Sequence, residues 1–181
     1  MKKTLLLTSA MALFATQALA VEVQPYVGAD FVYTWADVKN SSYIEDHYRA
    51  GNFSLGAMIS SNWGLELSYQ QALQNKKNSN LGQTKTEYKA YAVDGVGYLP
   101  VTANIQALFG VGLGYYEIKT KYKDSAFGHE EDSHYGLRAG AGLQYNINDN
   151  LAARMMLRYH YIDTDVIDQM TDLTVGVRYY F

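Results

Sequence analysis

The sequence contains no cysteine and only two prolines among its 181 residues. Without thiols it can hold neither a disulfide nor a thiolate-bound metal, and it has no cysteine nucleophile. Beyond the first twenty residues no apolar run approaches the roughly 20 that a membrane helix needs, which excludes a helical span. Lys2 and Lys3, the apolar stretch from Leu5 to Ala15 and the small-residue pattern Ala18-Leu19-Ala20 have the form of a secretory signal peptide over residues 1–20. Positive charge is not in excess either. Once Lys2 and Lys3 are removed with the signal peptide, thirteen Lys and Arg face eighteen Asp and Glu, a net charge of −5. Nucleic-acid binding, which needs a basic footprint, is not expected. The remaining residues, 21–181, fit one domain.

Tyrosine and glycine are abundant instead, at seventeen and fifteen residues. Apolar residues alternate with polar or small ones in eight stretches of about ten residues, the period of β-strands. One face carries sets such as Val27, Ala29, Phe31, Tyr33, Trp35; Leu65, Leu67, Tyr69; Phe109, Val111, Leu113, Tyr115; and Leu173, Val175, Val177, Tyr179, Phe181. This face holds no charge over roughly nine residues per strand, the length at which a tilted strand crosses hydrocarbon.

The opposite face holds Asp30, Glu66, Asp94, Arg138, Arg154, Arg158, His160 and Arg178, interleaved with Gly28, Ser54, Gly56, Ser68, Gln70, Gly110, Gly112, Gly114, Gly140, Gly142, Gln144, Thr174 and Gly176. A soluble barrel would have to bury these charges and expose the apolar belt, which is costly on both counts. The pattern therefore predicts an all-β fold, an eight-stranded antiparallel up-and-down transmembrane β-barrel with its polar face inside. Short connections near residues 60–62, 100–102 and 146–150 alternate with long ones near 36–49, 71–89, 117–133 and 162–171. Short periplasmic turns and long outer loops are the asymmetry of outer-membrane barrels, and eight strands put both termini in the periplasm. Aromatic residues gather where the two interfaces fall.

The last strand ends Thr174-Val175-Gly176-Val177-Arg178-Tyr179-Tyr180-Phe181, and Thr174, Gly176, Tyr179 and Phe181 resemble the terminal signal read by the barrel-assembly machinery. With eight strands, the chain resembles the small-barrel family of the OmpA transmembrane domain and the OmpX and Ail proteins. That resemblance implies residence in the bacterial outer membrane among its lipids and lipopolysaccharide, assembly-machinery contact during biogenesis, and a surface role in adhesion through the loops toward host or matrix ligands. Since nothing follows Phe181, the peptidoglycan-anchoring role of longer OmpA-type proteins is not expected.

Asp30, Glu66 and Asp94 belong to the first half of the chain and Arg138, Arg154, Arg158 and Arg178 to the second, so closing the sheet predicts pairs across the lumen. Such a network reads as a structural plug or, alternatively, as a narrow ion path. Gly110-Val111-Gly112-Leu113-Gly114 is read as strand packing because no helix follows it, as a phosphate loop would require. No catalytic site is expected: the histidines at 47, 129, 134 and 160 begin no His-x-Ser arrangement, and neighbours such as Asp132, Ser133 and His134 point alternate ways on a strand. No cofactor and no metal are expected. Residues 119–134, with three lysines, His129 and His134, read as a mixed-charge loop, and Asp163, Asp165, Asp168 and Asp172 lack the spacing of a calcium loop. Lys76, Lys77, Lys85 and Lys89 could meet lipopolysaccharide phosphates, and Asn40-Ser41-Ser42 is uninformative as a sequon in a bacterial protein. Tyr43, Ile44, Tyr48, Tyr122, Phe127, Val166, Ile167 and Met170 are the apolar loop candidates for partner contact.

Overall fold

The computed structural model describes residues 23–38, 47–72, 75–79, 82–122, 130–162 and 167–181; the expected signal peptide lies outside them. Nine strands follow in order: β1 (Gln24–Val38), β2 (His47–Ser60), β3 (Trp63–Ala72), β4 (Asn75–Ser79), β5 (Gly82–Pro100), β6 (Ile105–Tyr122), β7 (Glu130–Asn146), β8 (Leu151–Ile162) and β9 (Ile167–Tyr180). Eight of them form a closed antiparallel barrel, in which β3 pairs with β5 and β9 returns to β1. The short β4 pairs only with the outer end of β5. Closure is what allows strands in hydrocarbon, because it leaves no edge of unpaired N–H and C=O groups.

Alternation places the apolar set outside, where Phe31, Leu67, Val93, Phe109, Val111, Leu137, Leu157 and Val175 are all exposed on the barrel wall. At the outer rim Tyr69, Tyr91, Tyr115 and Tyr135 stand directly opposite one another across four neighbouring strands. Their ring centroids are 5.1, 6.5 and 5.1 Å apart in succession. Tyr179 and Phe181 pack edge to face at the opposite rim.

The three turns at that lower rim share one device. Ser60 Oγ, Thr102 Oγ1 and Asn148 Oδ1 each accept from the backbone N–H groups two and three residues on. Each side chain thus satisfies donors that the reversal would strand.

At the outer rim the long connections differ from expectation. Strand pairing continues well past the apolar belt: β1 reaches Val38, β2 starts at His47, β6 runs to Tyr122 and β9 starts at Ile167. The second long segment is itself a hairpin of β4 and β5. In water the ladder hydrogen bonds persist while the apolar alternation that marked the strands is gone.

Inside, charged pairs reach over a glycine. Asp94, Gly112 and Arg138 lie opposite one another on β5, β6 and β7, and Asp94 bonds Arg138 across the gap. Asp30, Gly176 and Arg154 repeat the arrangement on β1, β9 and β8. A Cβ at residue 112 or 176 would run into the aspartate side chain and neighbouring backbone. Replacing Gly112 by Val should therefore destabilise the barrel by at least about 1–3 kcal/mol, whereas Gly95→Val, outward-facing with nothing closer than 3.9 Å to its added Cβ, should be tolerated. Urea midpoints of the two refolded variants would check this.

Candidate functional site

Among the described residues, buried charge is concentrated in the lumen. Asp30, Glu66, Asp94, Asp172, Arg138, Arg154, Arg158 and Arg178 are all no more than 7% exposed, so four carboxylates face four guanidinium groups.

Glu66 on β3 is the hub. Arg154 on β8 meets it from across the lumen with two bonds of 2.8 Å. Arg158 Nη2 approaches it at 3.4 Å, Arg178 Nε at 3.4 Å, and Tyr26 Oη donates to it at 3.0 Å. Asp30 takes a second planar fork from Arg178, both bonds 2.9 Å, and a 2.7 Å bond from Asn52. Asp94 pairs with Arg138 through Nε at 2.6 Å and through Nη2, while Nη2 also donates to Ser68. Planar forks on carboxylates are the geometry in which arginine holds charge best out of water.

The expected residues are thus inside the barrel, but the pairs are not all opposed across it. Arg154 and Glu66 span the lumen, Arg138 and Asp94 bridge a single intervening strand, and Arg178 and Asp30 join the adjacent strands β9 and β1. Tilt and stagger, which sequence order does not convey, decide these partners. Thr174, Gly176 and Tyr179 lie on the closing strand and Phe181 directly follows it, with Tyr179 and Phe181 exposed and Thr174 donating to the Met156 carbonyl.

Below the charges, toward the termini, Tyr26, Tyr98, Tyr180, Val96, Leu108 and Met156 fill the interior. Tyr98 donates to Tyr26 at 3.4 Å and Tyr180 to Gln144 at 3.1 Å. A cavity of about 460 Å³ lies beneath them, lined by amides including Gln106, Gln144, Asn146 and Asn148. Above the charges, His160 Nδ1 is 2.7 Å from Tyr116 Oη, and its Nε2 is 3.1 Å from Asp172.

Two expectations are corrected. Asp172, grouped by sequence with the aspartates of the fourth long connection, belongs instead to β9 and points into the lumen, where Gln70 donates to it at 3.2 Å. Asp163 and Asp165 lie outside the described residues. Met170 is 3% exposed and faces inward, so it is no contact residue. Tyr43, Ile44, Phe127, Val166 and His129 fall outside the described residues. Asn52, Asp172 and the lumen tyrosines were missed by sequence reasoning, although each keeps the inward parity of its strand. Among the described residues, no three His, Asp or Glu side chains gather as a metal centre.

A closed eight-stranded barrel with an apolar wall and a polar, charge-paired interior defines a small bacterial outer-membrane β-barrel protein. The family model for the outer membrane protein beta-barrel domain matches residues 6–181, and the chain belongs to that family. Among solved structures, Neisserial surface protein A is 20% identical with a TM-score of 0.71, covering 87% of this chain and 97% of that one. Ail, the attachment invasion locus protein of Yersinia pestis, solved in complex with the heparin analogue sucrose octasulfate, is 21% identical with a TM-score of 0.60 and coverage of 88% and 97%. OprG of Pseudomonas aeruginosa is 15% identical with a TM-score of 0.60, covering 87% and 96%. At these identities the likeness is one of fold. No curated protein matches the sequence.

Removing Glu66 leaves three arginines without their shared acceptor. Glu66→Ala should cost about 3–5 kcal/mol of stability, the range for breaking a buried pair, and Arg154→Ala should cost less in that background than alone. A double-mutant cycle from urea unfolding measures the difference.

Proposed function

We propose that this protein is a closed surface scaffold that presents its outer strand extensions and loops to an anionic, polysaccharide-type ligand. The observation that carries the closed state is the filled cross-section at Glu66. Arg154, Arg178, Tyr26 and Tyr98 there are each no more than 2% exposed and joined to Glu66 or to one another, which supports a lumen closed at that level.

The ligand class is supported by register outside the membrane. Lys76 on β4 stands opposite Lys85 on β5, and Lys85 stands opposite Lys121 on β6. Like charges directly opposite destabilise a sheet. Lys76, Lys85 and Lys121 thus share one row of the register beyond the tyrosine row, and a sulfated or phosphorylated sugar is the ligand class whose charge complements that row. The complex of Ail with a heparin analogue makes a sulfated sugar the first ligand to try. A narrow ion pore is the second reading, favoured by the polar residues lining both ends of the lumen.

Refolded protein should be retained on immobilised heparin, and Lys85→Glu should release it at markedly lower salt with the barrel intact; equal retention would move the contact away from this row. In planar bilayers the wild type should be silent, and Arg138→Ala should lower stability with little conductance gained. Steady wild-type channels whose selectivity changes in Arg138→Ala would establish the pore instead.

A further inference from the structure

Beneath the tyrosine layer the lumen widens into a bowl of about 460 Å³ at the lower mouth. Gln24, the first residue of β1, and Tyr180, the last of β9, both line it. Tyr26, Tyr98 and Tyr180, none more than 6% exposed, close it from above. Its volume falls within the roughly 300–1,000 Å³ of small-molecule sites.

The amides around it are held by their oxygens. Tyr180 Oη donates to Gln144 Oε1 at 3.1 Å, which turns the Gln144 nitrogen toward Gln106 Oε1 at 3.2 Å and Asn146 Oδ1 at 3.0 Å. Gln144 is itself 2% exposed, so this network is fixed from inside the barrel. In the turn below, Asn148 Oδ1 accepts from the backbone N–H groups of Asn150 and Leu151 at 3.0 and 2.8 Å. An amide whose oxygen is committed to the protein keeps two N–H donors. Gln106, Asn146 and Asn148 thus each leave an NH₂ group at the bowl with no acceptor among the described residues.

This bias toward donors narrows the ligand. No lysine, arginine or histidine lines the bowl, and Asp149 stands exposed at its rim. An anion would meet a carboxylate there and no cation to pair with. A neutral ligand with carbonyl oxygen fits better. Extended peptides bind by pairing with a free strand edge, and the closed barrel offers none. A sugar ring with an acetamido group supplies what the lining asks for: a carbonyl for the NH₂ groups, hydroxyls for the Asp149 carboxylate and an apolar face for Met58.

We infer that the lower bowl binds an N-acetylated amino-sugar unit from the periplasmic side, with Gln106, Asn146 and Asn148 donating to its oxygens. Because the tyrosines close the bowl above, it receives the end of a glycan chain and not its middle. The site lies at the opposite rim from the row of Lys76, Lys85 and Lys121 and is independent of it.

The probe is N-acetylglucosamine, titrated into refolded protein in a zwitterionic detergent that carries no sugar headgroup and followed by saturation-transfer difference NMR. Binding should saturate, and glucose, which lacks the acetamido group, should bind about tenfold more weakly. Gln106→Glu and Asn146→Asp keep the oxygen to which Gln144 donates and remove the NH₂ donors. Each should weaken binding by about fivefold or more, while Lys85→Glu should bind as the wild type does. Folding of each variant is read from its migration on unheated gels. A second test leaves every amide in place, since the chain has no cysteine of its own. A bulky maleimide on Ala103→Cys, in an exposed turn at the bowl, should block the sugar, and the same label on Lys85→Cys should not. Absence of saturable wild-type binding, equal binding of glucose, unchanged binding in folded Gln106→Glu, loss in Lys85→Glu, or binding undisturbed by the label at residue 103 would each overturn the site.

Discussion

Hydrocarbon offers no hydrogen bonds, and that single constraint organises the molecule. Every backbone N–H and C=O in the belt has to be satisfied by a neighbouring strand, so the sheet closes on itself through β1 and β9. Closure at eight strands leaves an interior only wide enough for side chains. The inward face must be packed, yet alternation has committed the apolar residues to the outside. Much of what fills the core is therefore polar and charged, and that part is held by pairing rather than by exclusion of water from apolar surface.

This inverts the usual relation between core and surface. Here the wall is the apolar phase, and Glu66 with its arginines and Tyr26 has the role that a hydrophobic cluster has in a soluble domain. Glycines opposite the paired groups are part of that packing, because they let a guanidinium and a carboxylate meet across an intervening strand. A small apolar group of Val96, Leu108 and Met156 closes the space below.

The strand count, the inward and outward faces and the lower turns were legible in the sequence because a two-residue period is a local signal. Asp30, Glu66, Asp94 and the four arginines could be placed inside by parity alone. Their partners could not, since pairing depends on stagger between strands far apart in sequence; Arg178 thus forks onto Asp30 across the β1–β9 seam while its Nε approaches Glu66. Asp172 was misread as loop because three nearby aspartates masked its inward parity, two residues before Thr174. The strand extensions were missed for a related reason: outside the bilayer, lysine and threonine fill strands that hydrocarbon would require to be apolar.

The Arg178–Asp30 fork joins the last strand to the first. It cannot exist in a piece that lacks β1 or β9, nor in a sheet whose two ends have not met. Until then Asp30 and Arg178 lack each other as partners. The final hydrogen-bonded seam is therefore also a neutralisation step, and prying it apart sideways would expose an ion to the hydrophobic phase along with the bare strand edges. The barrel carries a lock at the one joint where the polypeptide is not continuous.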